Sequence, residues 1–253
     1  MVLLIRPEQM QALESAQIRQ FERQLCDHLH RLVPRHAQVL GPERLEQAVK
    51  FGLSRAGTLG FSRRGPARFY VELTFLFGSY FDTDPQYALF SDILSDHRST
   101  NQMHRADLLH SRVCDYLTKT SGADRMHVFS ALERSYRFSP EISLAIEPDT
   151  RSNAYDSLWY IFPEKCDYLG ATPIQRLIDE ASNSCAQRFS SYPPHILTFV
   201  LFSFAMGHRF FDDPLHPWVS TTLSRYANAN EAFSHLVSKG HLYLRHALGN
   251  PPD

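Results

Sequence analysis

The chain is poor in cysteine and has no cysteine pair at the spacing of a metal or redox motif. Its four cysteines are far apart in a chain of 253 residues: Cys26, Cys114, Cys166 and Cys185. A chain of this length can bury a core without disulfide staples. We therefore expect free thiols in a reducing compartment.

Long hydrophobic runs and an excess of charge are also missing. The most apolar stretch, residues 196–206, is too short to cross a bilayer, and the apolar start of the chain ends at Arg6 and Pro7. A net charge of −1 creates no strong field for nucleic acid or anionic lipid. The sequence thus predicts a cytoplasmic protein that binds neither nucleic acid nor membrane.

The common catalytic motifs are absent as well. The sequence contains no GxSxG, no GxxxxGK[ST] and no GxGxxG, and its 13 histidines include no HExxH pair. We expect most of these histidines on surfaces or at helix ends. A metal site assembled from distant helices is the alternative. The prediction is no cofactor, no metal and no catalytic residue.

What the sequence does contain is helical periodicity, which predicts an all-α fold. Apolar residues recur every three to five positions from Met10 to Leu32, between Pro7 and Pro34. Glycines at 57, 60 and 65 predict a loop from Gly57 to Pro66, followed by a central helix to Phe77. Residues 139–170 are less regular, and 158–162 fits either a short strand or a buried helical turn.

One phrase occurs twice, at an offset of 129 residues. Residues 71–85 read VELTFLFGSYFDTDP, and residues 200–214 read VLFSFAMGHRFFDDP. This repeat predicts two related helical modules packed into one bundle. We assign residues 1–120 to an N-terminal module, 121–170 to a connecting segment and 171–253 to a C-terminal module.

The repeated phrase also holds the candidate site residues. Asp82-Thr83-Asp84 resembles a DxD metal phrase, but Asp84-Pro85 and Asp213-Pro214 both read as capped helix starts. The second copy has Phe211-Asp212-Asp213, so its first carboxylate is shifted by one position. That shift favours a structural turn, with metal binding by the aspartates as the alternative.

Three aromatic residues complete the candidates. Phe81 and Phe210 are expected to anchor the turns by folding back onto the core, the alternative being exposed rings that await a partner. Trp218, like Trp159, fits either core packing or an interface hot spot. The turn aspartates and these aromatics are therefore candidates for structure or for partner binding.

The sequence resembles a family of small uncharacterised helical bacterial proteins. The similarity covers residues 3–96, with an echo at 172–225. It rests on Ile5, Arg6, Glu8, Gln9, Ala12 and Leu13, and on Phe75, Gly78, Phe81, Asp82, Asp84 and Pro85. Genes of this family sit beside those for VgrG spikes, PAAR tips, Tap-like adaptors and toxins of type VI secretion systems. The chain departs from the shorter members by carrying the second copy.

This resemblance implies a protein-binding role without enzymatic activity. We expect a co-chaperone or adaptor partner that helps to load a toxin effector onto the VgrG/PAAR spike. One alternative is an immunity protein that neutralises a cognate toxin. The second alternative is a metal-dependent enzyme or toxin that uses Asp82 and Asp84.

Overall fold

The computed structural model describes residues 6–96, 101–147, 149–226 and 228–247. Within these ranges the chain forms α-helices and two short 3-10 helices and no strand, which confirms the all-α prediction. No helix there is both long enough and apolar enough to cross a lipid bilayer.

The described residues of the first half of the chain form six α-helices. They are α1 (Pro7–Leu32), α2 (Pro34–Leu40), α3 (Pro42–Thr58), α4 (Arg64–Phe77), α5 (Ser91–Leu94) and α6 (Gln102–Ser121), with the 3-10 helix η1 (Pro85–Phe90) before α5. Proline opens α1, α2 and α3, where its missing N–H breaks no helical hydrogen bond.

The second half contains eight more. They are α7 (Met126–Arg137), α8 (Pro140–Ile146), α9 (Thr150–Ile161), α10 (Pro163–Leu169), α11 (Ala171–Arg188), α12 (Pro193–Met206), α13 (Pro217–Arg225) and α14 (Ala229–Ala247), with the 3-10 helix η2 (Ala123–Arg125) before α7. The segment 158–162 is therefore helical up to Ile161. The sequence also predicts that the last helix stops at Gly249, a position that lies outside the described residues.

Element bounds recur at the 129-residue offset. The helices α2, α3 and α4 begin 129 residues before α10, α11 and α12, respectively. Gly41 and Gly170, which precede α3 and α11, have nearly the same φ, +75° and +73°. The duplication of whole modules and the three segment boundaries stay predictions.

Three apolar clusters hold the helices together. One joins α1, α2, α3 and α4 with Leu215, a second joins α3, α4, η1, α5 and α6, and the largest joins α7 with α9–α14. Both α4, which was predicted to be a central helix, and α12 contribute to these clusters. Ten of the fourteen residues of α12 are buried, so it is a core helix on nearly all sides.

Two details of the helix boundaries were predicted wrongly. The loop expected from Gly57 to Pro66 is shorter, because α3 runs to Thr58 and α4 begins at Arg64. Two of its glycines therefore lie in helices, where glycine is unfavourable but tolerated. The helix expected at Asp213-Pro214 begins instead at Pro217, after a turn.

Candidate functional site

The two copies of the repeated phrase meet each other at their glycines. Gly78 ends α4 with φ +97°, and Gly207 ends α12 with φ +104°. A methyl group on Gly78 would lie 3.1 Å from the carbonyl oxygen of Met206, and one on Gly207 would lie 3.3 Å from that of Phe77. Glycine is needed at both positions because the backbone is left-handed and the opposite turn is close.

Two buried aspartates, one in each turn, accept hydrogen bonds across this contact. Oδ1 of Asp84 accepts from Gln86 N at 2.9 Å, and its Oδ2 accepts from His208 N at 2.8 Å. Oδ1 of Asp213 accepts from Leu215 N at 2.8 Å, and its Oδ2 accepts from Ser79 N at 2.8 Å. Each carboxylate thus accepts hydrogen bonds both from its own turn and from the opposite turn.

The predicted helix start at Asp84 is confirmed, because its side chain caps η1. Asp213 makes the equivalent bond within its turn, but α13 begins only at Pro217. The two copies differ at this point: Leu215, two places after Asp213, lies in a turn, whereas Gln86, two places after Asp84, lies in η1. Both aspartates are about 95% buried or more, so neither faces solvent.

The neighbouring aspartates make ion pairs instead. Asp82 accepts a bidentate pair from Arg55, whose Nη2 lies 2.7 Å from Oδ2. Asp212 lies 3.0 Å from Arg188 and 3.3 Å from Arg209. Asp82 therefore pairs with a guanidinium, Asp84 bonds the opposite turn, and no described residue bonds both carboxylates.

The aromatic candidates are also packed. Phe81 and Phe210 are buried; the ring of Phe81 lies 5.0 Å from that of Tyr70, and the ring of Phe210 lies 5.0 Å from that of Phe199. Trp218 is partly buried, 5.5 Å from the ring of Tyr243. Whether any of these residues contacts a partner stays a prediction.

A cleft of about 800 Å³ lies beside the two turns. The last turns of α4 and α12 contribute Phe75 and Phe204 to its wall, and α2 and α10 contribute His36 and Lys165. These pairs are again 129 residues apart in the sequence. Neither polar residue was predicted from the sequence, although Pro34-Arg35-His36 and Pro163-Glu164-Lys165 occupy matching positions at the 129-residue offset.

Lys165 places its ammonium group inside this cleft. Its Nζ donates to the carbonyl oxygen of Phe204 at 2.9 Å and lies 4.1 Å from the centre of the Phe204 ring. This carbonyl is near the C-terminus of α12, where a cation is favoured. Desolvation lowers the pKa of Lys165 to about 8, although the negative charge of Asp84 opposes the shift.

On the α2 side, His36 stacks at 6.4 Å with His216, and its Nε2 lies 2.9 Å from the Tyr243 hydroxyl. Desolvation, together with the neighbouring His216, lowers the pKa of His36 to about 4. Desolvation also lowers the pKa of His216, against the influence of Asp213. Both imidazoles are therefore neutral at pH 7.

Comparison with protein-family models, with curated proteins and with solved structures finds no match for this chain. Within the described ranges, no three His, Cys, Asp or Glu side chains come together as a potential metal site. The description of the site therefore rests on its own geometry.

Proposed function

We propose that this protein is a non-enzymatic, protein-binding accessory factor of a bacterial type VI secretion system. In this role it acts in the cytoplasm as a co-chaperone or adaptor partner that helps to load a toxin effector onto the VgrG/PAAR spike. Two observations support this role: the sequence resemblance to the type VI secretion family and the exposed amino-terminal end of α1.

The amino-terminal half of α1 extends beyond the body of the molecule. From Pro7 to Gln20 every residue except Ser15 is exposed. Burial begins with Phe21 and is complete at Leu25 and Leu29. About half of this 26-residue helix is therefore free to contact another molecule.

This free end carries large apolar side chains. Met10, Leu13 and Ile18 are 47%, 52% and 57% exposed. They extend the apolar stripe that, further along α1, packs into the core. An exposed apolar helix face of this kind suits docking into the groove of a helical partner.

The family-like residues lie at the same end. Gln9 accepts a hydrogen bond from Arg6 N, which stabilises the start of α1, but Glu8, Ala12 and Leu13 are exposed. The core does not require these three residues. A requirement for partner binding would explain why the resemblance to the type VI family includes them.

The test compares two triple variants of α1 in a host that carries the secretion cluster. Met10, Leu13 and Ile18 are changed to Gln in one variant, and the exposed Gln11, Gln17 and Gln20 are changed to Ala in the control. The first variant should stop co-purifying with the effector, the Tap-like adaptor or the spike protein, and should reduce effector secretion. The control should behave like the original protein.

Other results would point to the alternatives. Rescue of toxin-expressing cells without any effect on secretion would favour immunity, which requires direct toxin binding. Loss of an activity in Asp82→Asn with Asp84→Asn, at unchanged stability, would favour the enzyme alternative. Equal partner recovery by both α1 variants would refute the role given to the free end of α1.

A further inference from the structure

The cleft has the size and lining of a small-molecule site. Its volume of about 800 Å³ falls within the roughly 300–1,000 Å³ of ligand pockets and far exceeds a packing defect. Its walls include the aromatic rings of Phe75, Tyr87, Tyr116 and Phe204. Such walls favour an occupant with an apolar body.

The charged groups around the cleft favour an anion. Among the described residues that line it, Arg35 and Lys165 carry positive charge and Glu164 carries a carboxylate. The ammonium of Lys165 has three donor hydrogens, and its hydrogen bond to the Phe204 carbonyl uses one of them. Asp84 acts on Lys165 electrostatically, but in the part of the chain that the structure describes it bonds other groups.

A second polar group in the same wall lacks a partner. His216 is 6% exposed, and neither of its ring nitrogens makes a hydrogen bond to any described residue. The carbonyl groups of Met206 and Leu215 are near the ring but do not meet hydrogen-bond geometry. A buried donor without an acceptor is unfavourable, so an occupant that accepts a hydrogen bond from this ring would remove the penalty.

We propose that this cleft binds a small amphiphilic carboxylate, an alkyl or aryl acid. Its carboxylate accepts hydrogen bonds from Lys165 and from an imidazole N–H of the wall, and its apolar part lies against the aromatic rings. A carboxylate supplies the acceptor that both groups need, and a neutral alcohol would supply it only weakly. This site is separate from the exposed face of α1, so it does not depend on the proposed function.

The test is calorimetric titration of the full chain at pH 7 with decanoate, 1-decanol and decyltrimethylammonium, each below its micelle concentration. We expect saturable binding of decanoate, at least tenfold tighter than that of the alcohol, and the weakest binding of the ammonium compound. Lys165→Met should remove the preference for the acid over the alcohol. Lys165→Arg should keep it, because the charge remains.

Lys119→Met serves as the matched control, since Lys119 is an exposed lysine on α6 that does not line the cleft. A readout that needs no variant is the pKa of Lys165, followed by NMR, which should rise when decanoate saturates the protein. The proposal is wrong if decanoate does not bind saturably, or if acid and alcohol bind equally. It is also wrong if Lys165→Met, folded by circular dichroism, keeps the preference, or if the pKa of Lys165 is unchanged by decanoate.

Discussion

Removal of the Asp213 carboxylate tests how much the contact between the two turns stabilises the protein. The carboxylate accepts three hydrogen bonds, from Ser79 N at 2.8 Å, Ser79 Oγ at 2.6 Å and Leu215 N at 2.8 Å. Asp213→Ala leaves two backbone amides without an acceptor in a site that is 5% exposed. The neighbouring Asp212 offers a control of the same residue type.

The magnitude follows from these bonds. A hydrogen bond to a charged group contributes about 1.5–3 kcal/mol, and a buried amide without an acceptor costs about 1–3 kcal/mol. Because water can enter the hole left by the carboxylate, we expect a loss of about 3–6 kcal/mol rather than the full sum. Against a typical stability of about 5–15 kcal/mol, this is a large fraction.

The assay is urea unfolding followed by far-ultraviolet circular dichroism, with Asp212→Ala as the control. The Asp212 carboxylate is 34% exposed and pairs with two arginines on the surface, so its loss should cost no more than about 1 kcal/mol. If Asp213→Ala costs no more than Asp212→Ala, the contact between the turns does not hold the halves together. In that case the reasoning from buried hydrogen bonds would be refuted.

Three further results are expected. In a double-mutant cycle, Asp84→Ala combined with Asp213→Ala should lower the free energy of unfolding by at least about 0.5 kcal/mol less than the sum of the two single changes, because either change opens the same contact. Urea unfolding measures these losses, and strictly additive losses would contradict the expectation. Gly78→Ala should lower the melting temperature more than Gly41→Ala, because both glycines have positive φ but only Gly78 faces a carbonyl oxygen 3.1 Å away, whereas nothing lies within 4 Å of Gly41; equal losses would show that the turns can separate without cost. The pKa of His36 is about 4 in the folded protein, below its ordinary 6.5, so the unfolded chain binds more protons between these pH values. The unfolding free energy should therefore fall by up to about 3 kcal/mol as the pH drops from 6.5 to 4. Urea unfolding at several pH values should show a smaller fall for His36→Gln than for the original protein.

The sequence was sufficient for much of the local structure. The predicted end of the central helix at Phe77, before Gly78, is confirmed, and Gly207 ends α12 in the same way, because glycine readily takes the left-handed conformation after an apolar helical run. The stretch 57–66 was less informative, because its glycines suggested a long loop, whereas Gly57 lies in α3 and Gly65 in α4. Both helices bury neighbouring residues, Ala56 and Ala67, and tolerate a propensity cost of about 1 kcal/mol per glycine.

The candidate site shows the same division. The structural reading of the turn was available from the shifted second copy, and the bond from Gln86 N to Asp84 fits it. The partners across the contact could not be predicted from the sequence, because they are more than 120 residues away in the chain. They are His208 N for Asp84 and Ser79 N for Asp213. An aspartate that the sequence identifies as a helix cap has a second carboxylate oxygen, and only the tertiary structure determines which group bonds to that oxygen.

By itself the sequence determined the helical class and some helix ends, such as the one before Gly78, since these depend on local sterics and on the period of apolar residues. The tertiary structure decided that the two turns face each other, that half of α1 stays free, and that Lys165, His36 and His216 share a cleft. Those results depend on how helices pack against one another. Packing brings distant residues into one low-dielectric space. The strengths of hydrogen bonds and charge interactions and the pKa values there depend on these distant neighbours, so a local sequence pattern cannot predict them.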